Sequence, residues 1–320
     1  MFQFLNKHIV LQWILIVLML MGAGYVIFTR MTLCQPDGQG VLYAPLHAWL
    51  AASPLAMRVI ASLLLLLSLL LLQRYFQISK FYENKTWMPL VFLLGLLLCG
   101  RFLELFSPVW FTLPTLAAIL LLNTRDASEQ PVKNRVFSSG IMVGLCTLVD
   151  PYSVWILLFI VMALLANRFT KFKEIVILIC GFELVYAYVF AVGFLTGTTP
   201  AIVHSIKHVA YFEIIRHVGS LKVLDYVLAL VILLGFFYMV AVLTRYFDTK
   251  LIVLRKRFLT IIFLFVVMLV ALLFSQYVFR PALIYLVLPL TLLYSLMSLL
   301  KNRWLLNDIL MAAVIVLLCL

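Results

Sequence analysis

Apolar residues run through this chain in long blocks, with neither the alternation of strands nor the one-sided stripe of surface helices. Eleven blocks stand out, at 9–28, 57–73, 88–105, 108–123, 136–149, 152–167, 174–195, 223–243, 258–275, 281–300 and 304–320, bounded by charges or by Pro and Gly. A helix that crosses a membrane needs ~20 apolar residues. The pattern therefore predicts an all-α polytopic membrane helix bundle of about eleven transmembrane helices, a single integral membrane domain over 1–320. Two blocks, 136–149 and 152–167, are short. The breaks at Ser107-Pro108 and Asp150-Pro151 read as tight hairpins in which the chain turns straight back.

Composition sharpens this reading. Of 320 residues, 66% are hydrophobic and 11% charged, with a mean hydropathy of +1.18; a soluble fold of this size could not cover that much apolar surface. Cytosolic enzymes, disordered chains and disulfide scaffolds are excluded. The net charge of +12 would suggest nucleic acid in a soluble protein. In a polytopic one it first invokes the positive-inside rule, and no nucleic-acid partner is expected. With the N-terminus in the cytoplasm, 17 of the 24 Lys and Arg residues fall on the inner side and 7 on the outer side. The expectation is a multi-pass protein of the cell inner membrane, with N-terminus cytoplasmic, C-terminus outside and the first span retained. The five cysteines are scattered through apolar runs and read as small core residues, not as a disulfide or metal framework.

Two outer segments have room for structure, 29–56 and 196–222. The first holds the turn signal Pro36-Asp37-Gly38 and then a run from Tyr43 to Leu50, too short to span and suited to an interfacial helix. In the second, Ile202, Val203, Ile206 and Val209 oppose His204, Lys207, His208 and Tyr211, the pattern of an interfacial amphipathic helix.

Polar groups at membrane depth are expensive, so their positions carry information. Asp37 is a loop carboxylate that could act as a general base on a hydroxyl, or simply a turn residue. Arg101 and Glu104, three apart, share a helix face and can pair at the membrane edge or contact a substrate. Asp150 ends a span and turns the chain. Glu183 lies in the middle of block 174–195, where a carboxylate must pair, protonate or face water, and Tyr186 and Tyr188 are near enough to hydrogen-bond it. His204 and His208 are spaced i, i+4 but lack a convincing third ligand, so no metal and no cofactor are expected. Lys207, Arg216 and Arg280 are outer-side cations suited to a lipid phosphate. Gly140-x-x-x-Gly144 and Gly193-x-x-x-Gly197 permit close helix packing.

From about Leu71 to Gly197 the chain resembles an uncharacterised family of bacterial polytopic inner-membrane proteins. The resemblance rests on Trp87-Met88-Pro89, the Glu104-to-Pro108 hairpin, and Ser139-Gly140-Ile141-Met142-Val143-Gly144-Leu145 leading to Asp150-Pro151. In layout it is also similar, more distantly, to the GT-C membrane glycosyltransferases that use polyprenyl-phosphate sugars. The matching features are a first outer loop with an acidic residue and a short interfacial helix, here Asp37 and then Tyr43-Ala44-Pro45-Leu46. Such enzymes often carry paired acids in that loop, whereas Asp37 stands alone. The resemblance implies a GT-C-like bundle that acts on or binds a polyprenyl-linked glycan at the outer face, with glycosyl transfer as its enzymatic form. Asp37 would be the base, and Lys207, Arg216 and Arg280 would hold the phosphate. Membrane lipid, a polyprenyl-phosphate sugar and other membrane proteins are the partners this implies. Two other readings stay open: a transporter or flippase with Glu183 in its pathway, and a non-catalytic membrane subunit of a larger assembly.

Overall fold

The computed structural model describes residues 9–34, 40–81, 86–124, 132–166, 172–200, 202–203, 223–275 and 279–298. The chain runs through α1 (Ile9–Arg30), β1 (Thr32–Leu33), α2 (Tyr43–Ala52), α3 (Pro54–Ser79) and α4 (Met88–Cys99). A hairpin follows, made of a 3-10 turn at Phe102–Glu104, β2 (Leu105–Phe106) and a second 3-10 turn at Pro108–Phe111. Next come α5 (Thr112–Thr124) and α6 (Val132–Thr147), a 3-10 turn at Pro151–Val154, then α7 (Trp155–Ala166) and α8 (Phe172–Thr196). The remaining helices are α9 (Val223–Phe247), α10 (Ile252–Phe274), α11 (Phe279–Ala282) and α12 (Ile284–Met297). Helices α1, α3, α8, α9 and α10 are long and apolar enough to cross a membrane, and shorter apolar helices lie between them. The chain is an all-α, multi-pass membrane protein. Of the eleven expected spans, the last falls outside the described residues.

At the centre stands α12, with every residue from Ile284 to Met297 buried. It packs against α4, α5 and α10, and α4 is buried from Met88 to Leu97. This core is apolar all round because no face of it meets water or lipid. The most extensive helix pair is α6 on α8, and glycine is the reason. A Cβ at Gly140 would lie 2.3 Å from the Leu178 carbonyl oxygen, one at Gly181 2.5 Å from that of Phe137, and one at Gly144 2.9 Å from Val185 Cγ2. The expected close packing at Gly140 and Gly144 is present. At the other glycine pair the chain does something else: Gly197 has φ +70 and ends α8, with Gly193 accepting from the amide of Thr198.

Block 88–105 stops as a helix at Cys99. Arg101 takes a left-handed conformation (φ 52), and the Phe102 ring folds back so closely that a side chain at Gly100 would overlap it. Helix α12 likewise starts at Ile284, after the separate turn of α11.

Basic residues close the helix ends on the side opposite the hairpins. Arg257 of α10 donates through Nη1 to the carbonyl of Ser79 and through Nη2 to that of Thr124 (3.2 Å), so one guanidinium serves the C-termini of both α3 and α5. Arg135 of α6 reaches Leu122 O at 3.5 Å. The last carbonyls of a helix lack partners within it and carry the negative end of the dipole, so a cation is favoured there. Charged hydrogen bonds contribute ~1.5–3 kcal/mol each. Arg257→Ala is therefore expected to destabilise the bundle by about 3 kcal/mol, read as a lowered Tm in detergent micelles, and Arg257→Lys should recover part of the loss. An unchanged Tm in Arg257→Ala would remove this clamp from the account.

Candidate functional site

The Arg257 clamp sets two helices of unequal length level at one end. Helix α3 has 26 residues and α5 has 13, a difference of ~20 Å. The four-residue 3-10 turn before α5 restores ~8 Å of this. By length, α3 outreaches α5 and its turn by about 10 Å on the opposite side.

Residues 31–34 and 40–42 are fastened to the two hairpins by backbone bonds, which form a seam on that side. β1 pairs with β2 in parallel, Thr32 beside Leu105 and Leu33 beside Phe106. The amide of Cys34 donates to Phe106 O (3.0 Å), Gly40 to Val149 O (3.3 Å) and Leu42 to Leu148 O (2.9 Å). Position 40 has to be glycine for this contact, because a Cβ would lie 2.3 Å from Leu148 O. Asp37 lies outside the described residues, and both anchored flanks of its loop meet the two hairpins that the prolines predict. The short run after it forms α2, close to the expected interfacial helix.

Asp150 directly follows Leu148 and Val149, whose carbonyls hold Leu42 and Gly40, and is fully buried. Its Oδ2 accepts from Thr112 Oγ1 at 2.7 Å, and Tyr285 OH donates to the same carboxylate at 2.7–2.8 Å. The Asp150 backbone is also used: its carbonyl accepts from the amide and hydroxyl of Ser153. One carboxylate therefore joins the hairpin to the first residue of α5 and the start of α12. The sequence pointed to Asp150 as a turn residue and did not find Thr112 or Tyr285. Their signal is slight, a hydroxyl within the first two residues of an apolar helix.

Two further hydroxyls at the seam were also missed. Tyr43, at the start of α2, and Ser107, directly after β2, are both fully buried, and among the described residues neither Tyr43 OH nor Ser107 Oγ has a hydrogen-bond partner. Burial, and then the neighbouring Cys34, raise the Tyr43 phenol far above its ordinary pKa, so it stays a neutral donor. Buried polar groups are nearly always paired, and an orphan costs ~1–3 kcal/mol. Such a group is a natural contact for something that arrives.

The other expected site residues are dispersed. Glu104 does not pair with Arg101: the left-handed turn at Arg101 breaks the shared helix face, and the Glu104 carboxylate lies 3.8 Å from Arg30 Nη1 instead. Arg101 itself is exposed. Arg280 faces Asp225 of α9, Nε to Oδ1 at 3.6 Å, and its side chain is 43% exposed, so part of its charge is already committed. Glu183 is exposed on α8. Its anticipated neighbours look elsewhere, since Tyr186 OH donates to Thr147 Oγ1 (3.1 Å) and Tyr188 is exposed. His204, Lys207, His208 and Arg216 lie outside the described residues. Among the described cysteines Cys146 is buried, but Cys180 is exposed and is no core residue.

Among the described residues no three His, Cys, Asp or Glu side chains converge on a metal-sized space. A small apolar cleft between α4, α9 and α12, lined by Leu96, Phe102, Ile232, Leu283, Leu286, Val287 and Leu290, has room for about one water molecule. It is smaller than ligand pockets usually are and offers no polar side chain. Comparison with family models, with curated proteins and with solved structures finds no match for this chain.

Proposed function

We propose that this membrane protein acts on a polyprenyl-linked glycan at its hairpin side, the side that the Lys and Arg distribution makes the outer face. One observation carries the reading. Two buried hydroxyls without partners among the described residues, Tyr43 OH and Ser107 Oγ, lie next in sequence to residues of the seam at which the described flanks of the Asp37 segment, Cys34 on one side and Gly40 and Leu42 on the other, are fastened. Sugars are recognised by hydrogen bonds to their hydroxyls, and orphaned neutral donors in a dehydrated seam bind such groups more strongly than the same donors in water.

In the transfer form of this function Asp37 takes the proton from an acceptor hydroxyl. That oxygen bonds to the anomeric carbon as the bond from that carbon to the lipid phosphate breaks, and the phosphate leaves with the bonding electrons. Lys207 and Arg216 steady its charge. Arg280 is the weaker contributor, because Asp225 shares it.

The test is transfer from a polyprenyl-phosphate hexose in reconstituted vesicles. General-base catalysis is worth ~10²–10⁴-fold, and Asp37→Asn is expected to lose a factor of that size with normal protein levels. Tyr43→Phe and Ser107→Ala should melt at or slightly above the wild-type temperature, since each removes an orphan, yet bind the donor roughly ten-fold less tightly. Unchanged transfer in Asp37→Asn would remove the base. Unchanged binding in both hydroxyl variants would remove the seam as a sugar site.

A further inference from the structure

Glu183 stands at the middle of the 25-residue α8, ~16 Å from the nearer end of the helix. Helix α8 packs chiefly on α6, through Leu178, Gly181 and Val185. At ~100° per residue Glu183 points to the other side of the helix, and it is exposed. Among the described residues no hydrogen bond or ion pair reaches its carboxylate. Cys180 and Ala187, one turn to either side on the same face, are short and exposed as well, so neither shields it.

A carboxylate at bilayer mid-depth on a face turned away from its own bundle is costly to leave bare, and such groups are normally paired. We propose that the Glu183 face of α8 docks a transmembrane helix of a partner protein that carries a lysine or arginine at mid-bilayer depth. Charge complementarity selects that partner over a second copy of this chain. In a two-fold pair of identical parallel helices, Glu183 would meet Glu183 at the same depth, like charge against like. Nor can another helix of a second copy supply the cation from its described part, because every described Lys and Arg in a helix lies within two turns of an end. The docking goes beyond the glycan reading and does not depend on it.

The experiment uses the full chain in phosphatidylcholine vesicles with a synthetic Leu/Ala transmembrane peptide. The peptide carries one central lysine and a cysteine one turn away, and its control has leucine in place of the lysine. Disulfide trapping at the native Cys180 reads the docking, and Cys180→Ser identifies the thiol. The lysine peptide is expected to trap at least ten-fold more than the control, and Glu183→Gln should erase the difference while the protein keeps its Tm and its gel-filtration profile. Equal trapping of the two peptides, or trapping indifferent to Glu183→Gln, would overturn the proposal. Cys180–Cys180 dimers that outcompete the lysine peptide would overturn it in favour of a second copy.

Discussion

Gly140→Val is expected to pull α8 away from α6 at a cost of about 3 kcal/mol, the upper end of what overpacking usually does. The reason is the nature of the obstacle. The new Cβ would meet the Leu178 carbonyl oxygen at 2.3 Å, and a backbone cannot rotate aside as a side-chain tip can. Among the described residues helix α8 has no second large interface to hold it. The measurement is thermal unfolding in micelles together with maleimide labelling. Cys146, buried in α6, should become reactive, while the exposed Cys180 reacts equally in both proteins. Gly22→Val is the control, because the space around its Cβ is open and its Tm should stay within a degree or two of the wild type. A Gly140→Val protein that melts with the wild type and leaves Cys146 protected would show that this helix pair can part without consequence.

Asp150→Ala is expected to cost about 3 kcal/mol, because two buried hydroxyls lose their acceptor at ~1–3 kcal/mol each. The loss exceeds the two hydrogen-bonded contacts themselves, since the Thr112 and Tyr285 hydroxyls would stay buried with their acceptor gone. That asymmetry supplies its own check. Adding Thr112→Val and Tyr285→Phe to Asp150→Ala removes the orphans and should restore part of the stability, so the effects will be less than additive. Strict additivity would show that the three side chains do not act as one node.

The wide features of this fold were legible along the chain, because the bilayer imposes a length and a polarity that composition has to obey. The hairpins at Ser107-Pro108 and Asp150-Pro151 were legible too, as was the helix after Asp37, since proline and run length act locally. What escaped the sequence depends on contacts between distant elements. Tyr285 and Thr112 look like ordinary interruptions of apolar blocks until α5, α12 and the second hairpin meet at Asp150. Arg101 and Glu104 have the spacing of a helical pair, but spacing says nothing about the left-handed turn that separates them. The reach of Arg257 to Ser79 and Thr124 crosses more than a hundred positions, and a count of basic residues by side registers it only as a topology signal. Glu183 was visible as an anomaly from the start, and only the packing of α8 on α6 shows which way it faces.

The unequal helices have a consequence for the lipid around them. Helix α7 has 12 residues and the 3-10 turn leading into it has 4, about 26 Å together against a hydrocarbon core of ~30 Å, and α7 turns Leu158 and Leu165 outward. Beside it the bilayer must thin to match, at a modest cost for each ångström of mismatch. A lipid whose reactive group belongs at the water boundary therefore meets that boundary deeper along α7 than along α3. For an amphipathic substrate the path to the seam can run sideways through one leaflet, with no climb into bulk water.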